Sequence, residues 1–113
     1  MPYIKKDERR EKLRNGEYAL NAGELNYQIF YYVKHTETPQ YDVIKKFVDQ
    51  FLGDKPNYQR YNDITGCIMR CWKEIERRLN KDVTDMLVTL LINYDDEIAQ
   101  YEDKKIIENG DVE

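Results

Sequence analysis

The feature that most constrains this chain is where its helix-breaking residues stand. Only three prolines and five glycines occur in 113 residues, and most fall where an apolar repeat of threes and fours begins or ends. Apolar residues recurring at i, i+3, i+4 and i+7 mark one face of an α-helix, whereas a strand would alternate. The pattern predicts an all-α, compact bundle of four to five helices, in a single domain over residues 1–113.

A basic N-terminal helix is expected over about residues 4–15, within a basic stretch reaching residue 20, and it stops at Asn15-Gly16 because glycine accepts the left-handed backbone past a helix C-terminus. It is too polar to be a core element on its own. A second helix begins near Asn21, with Glu24 as capping-box partner and Leu25, Ile29, Tyr32 and Val33 on one stripe. Thr38-Pro39 reads as N-cap and first position of a third helix carrying Tyr41, Ile44, Val48, Phe51 and Leu52. Residues 53–57 form a turn. A fourth helix from Tyr58 or Asn62 to Leu79 aligns Ile64, Ile68, Cys71, Ile75 and Leu79, flanked by Cys67 and Trp72. After a break at 80–82 with Asp82 as N-cap, a fifth carries Met86, Leu87, Leu90, Leu91, Tyr94, Ile98 and Tyr101. Residues 108–113 read as a flexible tail or a strap across the bundle.

Ten tyrosines, three phenylalanines and a tryptophan in a chain that is 41% hydrophobic argue for a folded protein, although 35% of its residues are charged. No stretch approaches a transmembrane helix and the N-terminus lacks the apolar run of a signal peptide, so a cytoplasmic protein is expected, with no membrane partner. The net charge of −4 conceals a basic start and an acidic end. An overall acidic chain disfavours nucleic acid as a partner.

Catalysis has little to work with. The chain has no serine and one histidine, His35, which is expected near a helix end where its imidazole meets the negative pole of the dipole. Cys67 and Cys71, four apart, read as small buried hydrophobes, and no cofactor or metal is expected. Magnesium-dependent helical pyrophosphohydrolases of the MazG type use paired acidic motifs. Asp82, Asp85, Glu74 and Glu76 are the nearest counterparts, and they match poorly. Arg60, Arg70, Arg77 and Arg78, interleaved with Tyr58, Tyr61 and Trp72, offer a pocket that would stack a base and hold a phosphate, or else a solvated helix face. Tyr27, Tyr31 and Tyr32 point at mixed helical angles, so some lie at the surface and favour self-association.

The opening Met1-Pro2-Tyr3-Ile4-Lys5 and the closing Tyr101-Glu102-Asp103-Lys104-Lys105-Ile106, with Glu108-Asn109-Gly110-Asp111-Val112, resemble the two ends of a family of short bacterial and phage proteins of unknown function. Gly23-Glu24-Leu25-Asn26-Tyr27-Gln28-Ile29 and the segment from Tyr61-Asn62 to Glu76-Arg77-Arg78 are similar to its middle stretches. The resemblance implies a ligand or partner site drawn from Asn26, Tyr27, Asn62, Arg77, Arg78 and the tail from Tyr101 to Asp111, or a structural network tying tail carboxylates to helix arginines. Against that pattern, Leu79 to Gln100 is an addition, and Glu113 stands where an aromatic is expected.

Together these readings give candidate ligand- or partner-binding residues Asn26, Tyr27, Tyr61, Asn62, Arg70, Arg77, Arg78, Tyr101, Glu102 and Asp103. The expected function is that of a small non-enzymatic cytoplasmic interaction protein of phage or bacterial origin, acting as a homo-oligomer or on a host protein partner in phage and host conflict. The alternative is an oligomeric protein that sequesters a nucleotide, using Arg70, Arg77 and tyrosines around a pocket between protomers.

Overall fold

The computed structural model describes residues 8–54, 57–79 and 82–110. Among them the chain is all-α, with five helices: α1 Glu8–Arg14, α2 Ala22–Lys34, α3 Tyr41–Leu52, α4 Tyr58–Leu79 and α5 Thr84–Asn109. The helix start near residue 4, the centre of the 53–57 turn, the break at Asn80 and Lys81 and the tail from Asp111 lie outside the described residues.

α1 ends where its sequence requires. Gly16 has a φ of +95°. Its N–H donates to the Leu13 carbonyl at 3.1 Å and that of Glu17 to the Lys12 carbonyl at 3.0 Å, the paired bonds of a Schellman cap. Although α1 is polar overall, its Leu13 is fully buried and belongs to the common core.

The N-cap of α2 is Asn21, whose side chain accepts from the Glu24 N–H at 2.9 Å. The reciprocal half of the capping box does not form. The Glu24 carboxylate instead accepts the Leu20 N–H at 2.9 Å and a two-pronged bond from Arg9, at 2.8 and 2.5 Å. A guanidinium fork makes two charge-assisted bonds to a carboxylate, which outcompetes a second backbone N–H.

α3 starts two residues later than Thr38-Pro39 suggests. Gln40 is its N-cap, in extended conformation, and the Tyr32 hydroxyl accepts the Gln40 N–H at 2.8 Å. That bond, made by a side chain of α2, holds Gln40 outside the helix, so α3 opens at Tyr41. α4 is capped by Asn57, whose side chain accepts the Arg60 N–H at 2.9 Å. Asp82 reaches the Thr84 N–H at 3.2 Å, while Val83 takes the N-cap position of α5. α5 then runs unbroken to Asn109, past the apolar stripe and through residues expected to begin a tail. No Gly or Pro interrupts residues 84–109, and a Lys105–Glu108 contact at 3.5 Å supports the last turns.

One core unites all five helices through Leu13, Leu25, Ile29, Val33, Ile44, Val48, Ile64, Ile68, Ile75, Leu87 and Leu90, with Cys67 and Cys71 among them. Each buried Leu or Ile contributes about 1.5–3 kcal/mol relative to exposure. α2 and α4 lie side by side in the same direction: the Cys67 thiol approaches the Ala22 carbonyl at 3.9 Å and the Cys71 thiol approaches that of Asn26 at 3.8 Å. Parallel neighbours need a crossover, and α3 supplies it. α4 and α5 form an antiparallel pair, joined by Trp72 donating to Thr84 at 3.2 Å near one end and Tyr61 against Tyr101 at 5.2 Å near the other. α3 is tied to α5 by Tyr94 donating to Asp49 and Asn93 donating to the Tyr41 hydroxyl at 2.5 Å. Burial and the Asp49 carboxylate together push the Tyr94 phenol well above its ordinary range. The long axis of the molecule is 46 Å. No helix among the described residues is long and apolar enough to cross a membrane.

Candidate functional site

The parallel α2–α4 pair leaves a cleft on the side where α1 crosses α2, with a volume of about 380 Å³. Its walls follow from a second stripe on α2. The first stripe, Leu25, Ile29 and Val33, enters the core. Nearly opposite on the helix, Gly23, Asn26, Tyr27, Phe30, Tyr31, Lys34 and His35 recur at threes and fours and line the cleft.

α1 brings Arg10 and Arg14 to the rim, and the C-terminal part of α4 brings Glu74 and Arg78. Arg14 donates from Nε to the Tyr27 hydroxyl at 3.0 Å and lies over the Tyr31 ring at 5.3 Å. That hydrogen bond raises the Arg14 pKa further above its already high value. Arg10 lies 5.7 Å from the Tyr27 ring, and Arg78 sits 4.8 Å from the Phe30 ring. Tyr27, Tyr31 and His35 form a ladder one turn apart, with centroid spacings of 5.9 and 4.3 Å. His35 is also the C-cap of α2, the position expected for it. A guanidinium is attracted to an aromatic face and carries a fork of N–H donors that matches carboxylate and phosphate oxygens.

The cleft therefore gathers four cations, Arg10, Arg14, Lys34 and Arg78, against one carboxylate, in a chain whose net charge is −4. That carboxylate, Glu74, is 8% exposed. Among the described residues its ion-pair partners are Arg70 at 3.7 Å and Arg78 at 3.9 Å, both beyond ordinary hydrogen-bond length. Asn26 is fixed by the Cys71 thiol, which lies 3.2 Å from its Oδ1. The Cys71 thiol, hydrogen-bonded to Cys67 and buried, is held well above its usual pKa and so stays protonated.

The structure gathers nine of the ten sequence candidates in three places. Asn26, Tyr27 and Arg78 meet in the cleft. Arg70 and Arg77 lie on the outer face of α4 beside Lys73 and Glu76, in a shallow depression with no aromatic wall. Arg70 has 70% of its side chain exposed. Tyr61, Asn62, Tyr101 and Glu102 share a small groove of about 120 Å³ between the first turns of α4 and the later part of α5. Burial raises the Tyr61 phenol there. Asp103 is exposed. The tail carboxylates and the Arg77-Arg78 pair thus stand at opposite ends of α4, because an antiparallel hairpin puts the end of α5 beside the start of α4. Trp72 packs toward Thr84, away from both tyrosine groups. Of the acidic quartet, Glu76 accepts from the Thr84 hydroxyl at 3.4 Å and Asp82 accepts the Thr84 N–H at 3.2 Å from one residue before the N-cap of α5. Among the described residues no three His, Cys, Asp or Glu side chains converge on a metal-sized site.

Arg10, Arg14, Phe30, Tyr31, Lys34, His35 and Glu74 are cleft residues that the sequence reading did not select. The signal was present in the spacing of 23, 27, 31 and 35, a second helical stripe on the side of α2 opposite the core stripe.

Comparison with known proteins found no matching curated protein and no matching solved structure. A domain of unknown function, DUF6899, matches residues 1–112, a span that includes every helix of the fold. The chain belongs to the DUF6899 family.

Proposed function

We propose that this protein is a non-catalytic binding module whose recognition site is the α1–α2–α4 cleft, and that the cleft takes a nucleotide. The observation that carries this reading is the pairing of Arg14 with Tyr31 and of Arg78 with Phe30 along one cavity. Bases stack on guanidinium planes as well as on aromatic rings, so the Arg14–Tyr31 and Arg78–Phe30 pairs offer layered platforms for one. Guanidinium edges accept phosphate oxygens in bidentate fashion. A volume of about 380 Å³ lies within the range of small-molecule sites, roughly 300–1,000 Å³. Binding without turnover is supported by the state of the reactive groups nearby: Cys71 is a buried, protonated thiol and His35 is stacked on Tyr31.

The test is isothermal titration calorimetry at low salt with nucleoside mono- and triphosphates, with inorganic phosphate as reference. Nucleotides bind more tightly than phosphate, and Arg78→Ala weakens them at least about tenfold, the loss of one bidentate contact. Arg77→Ala, on the outer face of α4, leaves affinity unchanged. Failure of every nucleotide to bind at millimolar concentration overturns the reading.

A second surface supports self-association. α5 exposes Ile92 by 55%, Ile106 by 42% and Ile107 by 85%, the last two near its C-terminal end. Exposed large aliphatics on a helix of alternating charge suit a contact between copies of the chain. A phage or bacterial cytoplasm, a host protein partner and a part in phage and host conflict are suggested by the resemblance of the two chain ends.

A further inference from the structure

The cleft contains one group that a phosphate site does not call for. Glu74 is a nearly buried carboxylate at its edge, and a buried anion is costly unless its oxygens are both ion-paired and hydrogen-bonded. Its arginine neighbours stand at 3.7 and 3.9 Å, too far to occupy its lone pairs by hydrogen bonding. One turn back on the same face of α4, the Cys71 thiol engages Asn26 Oδ1 at 3.2 Å. That contact orients the amide and leaves Asn26 Nδ2 as its available donor. The cleft thus offers the two oxygens of a carboxylate and an amide donor, with aromatic rings and cations around them.

Resting on the nucleotide reading of the cleft, we infer that Glu74 makes it selective for guanine. Among the common bases, guanine presents two adjacent N–H donors, N1–H and the N2 amine, which match the two oxygens of a carboxylate. The neighbouring O6 is an acceptor for Asn26 Nδ2. Adenine and cytosine place a ring-nitrogen acceptor next to their amine, which a carboxylate repels. Uracil offers one N–H flanked by two carbonyl oxygens. A site that supplies hydrogen bonds to specific groups discriminates strongly against ligands lacking them, because its own buried polar atoms are then left unpaired.

Titration of the wild-type protein with guanosine, inosine and adenosine monophosphates tests this directly, since inosine differs from guanosine only by the missing N2 amine. Guanosine monophosphate binds at least about tenfold more tightly than either of the others, the loss expected from one charge-assisted bond. Glu74→Gln, with its fold checked by circular dichroism, brings the three within about threefold of one another. Affinities that are equal across bases in the wild-type protein overturn the guanine assignment and leave the nucleotide reading standing. Absence of binding by all three overturns both.

Discussion

Glu24 shows how one side chain can fasten a polar helix to a fold. It is 7% exposed, and its carboxylate receives the Arg9 fork and the Leu20 N–H, so α1, the following loop and α2 meet on two oxygens. The Arg9 hydrogen bond holds the Glu24 carboxyl below the ordinary glutamate value of 4.5. A carboxyl depressed in the folded state contributes stability that is present above its unfolded pKa and lost as pH falls through the folded one. Chemical denaturation should therefore show stability declining as pH drops below about 4.5. Glu24→Gln should cost about 2 kcal/mol at pH 7, the scale of hydrogen bonds to a charged group, and flatten that acid decline. An unchanged acid profile in the variant would place the proton uptake elsewhere. Gln28 works beside it, donating to the Leu13 and Glu17 carbonyls at 2.9 and 2.8 Å and tying down the end of α1.

At the scale of elements, the apolar stripes of α2, α3, α4 and the first half of α5 were legible, because Leu25, Ile44, Ile64 and Leu87 each head a run that a helical period alone explains. The start of α3 and the length of α5 were not. The first depends on a Tyr32 hydroxyl that meets Gln40 from another helix. The second depends on local helix propensity continuing after packing ends, where no hydrophobic period remains to mark it. The cleft was half legible: Asn26, Tyr27 and Arg78 were selected, but their union with Arg14 and Glu74 depends on which helices run parallel, which no single stripe records. α5 carries its own forecast. Leu87, Leu90 and Tyr94 are buried, whereas residues 102–110 are exposed throughout. Hydrogen exchange should find the amides of 87–94 protected near the global limit and those of 104–109 exchanging orders of magnitude faster. Uniform protection along α5 would mean that its end is covered in solution.

For the whole molecule, that end is where the proposed self-association would seat a second copy. The exposed Ile106 and Ile107 sit on the part of α5 farthest from the α4–α5 turn, so covering them leaves the α1–α2–α4 cleft open. Light scattering across a concentration series should report an oligomer that Ile107→Glu converts to monomer, with nucleotide affinity unaltered. A monomer at all concentrations would remove the self-association reading and leave the cleft reading untouched. Binding and assembly are thereby separable by single substitutions at opposite ends of the fold.

The parallel alignment of α2 and α4 has a consequence for kinetics. Residues that touch across this pair, such as Ala22 with Cys67 and Asn26 with Cys71, are 45 positions apart. A loop of that length must close, with α3 docked inside it, before the two walls of the cleft exist. A partly folded chain accordingly has nothing for a ligand to grip. Ligand should act as a brake on unfolding and leave the refolding rate nearly untouched, so that an occupied protein is long-lived even where its equilibrium gain is small.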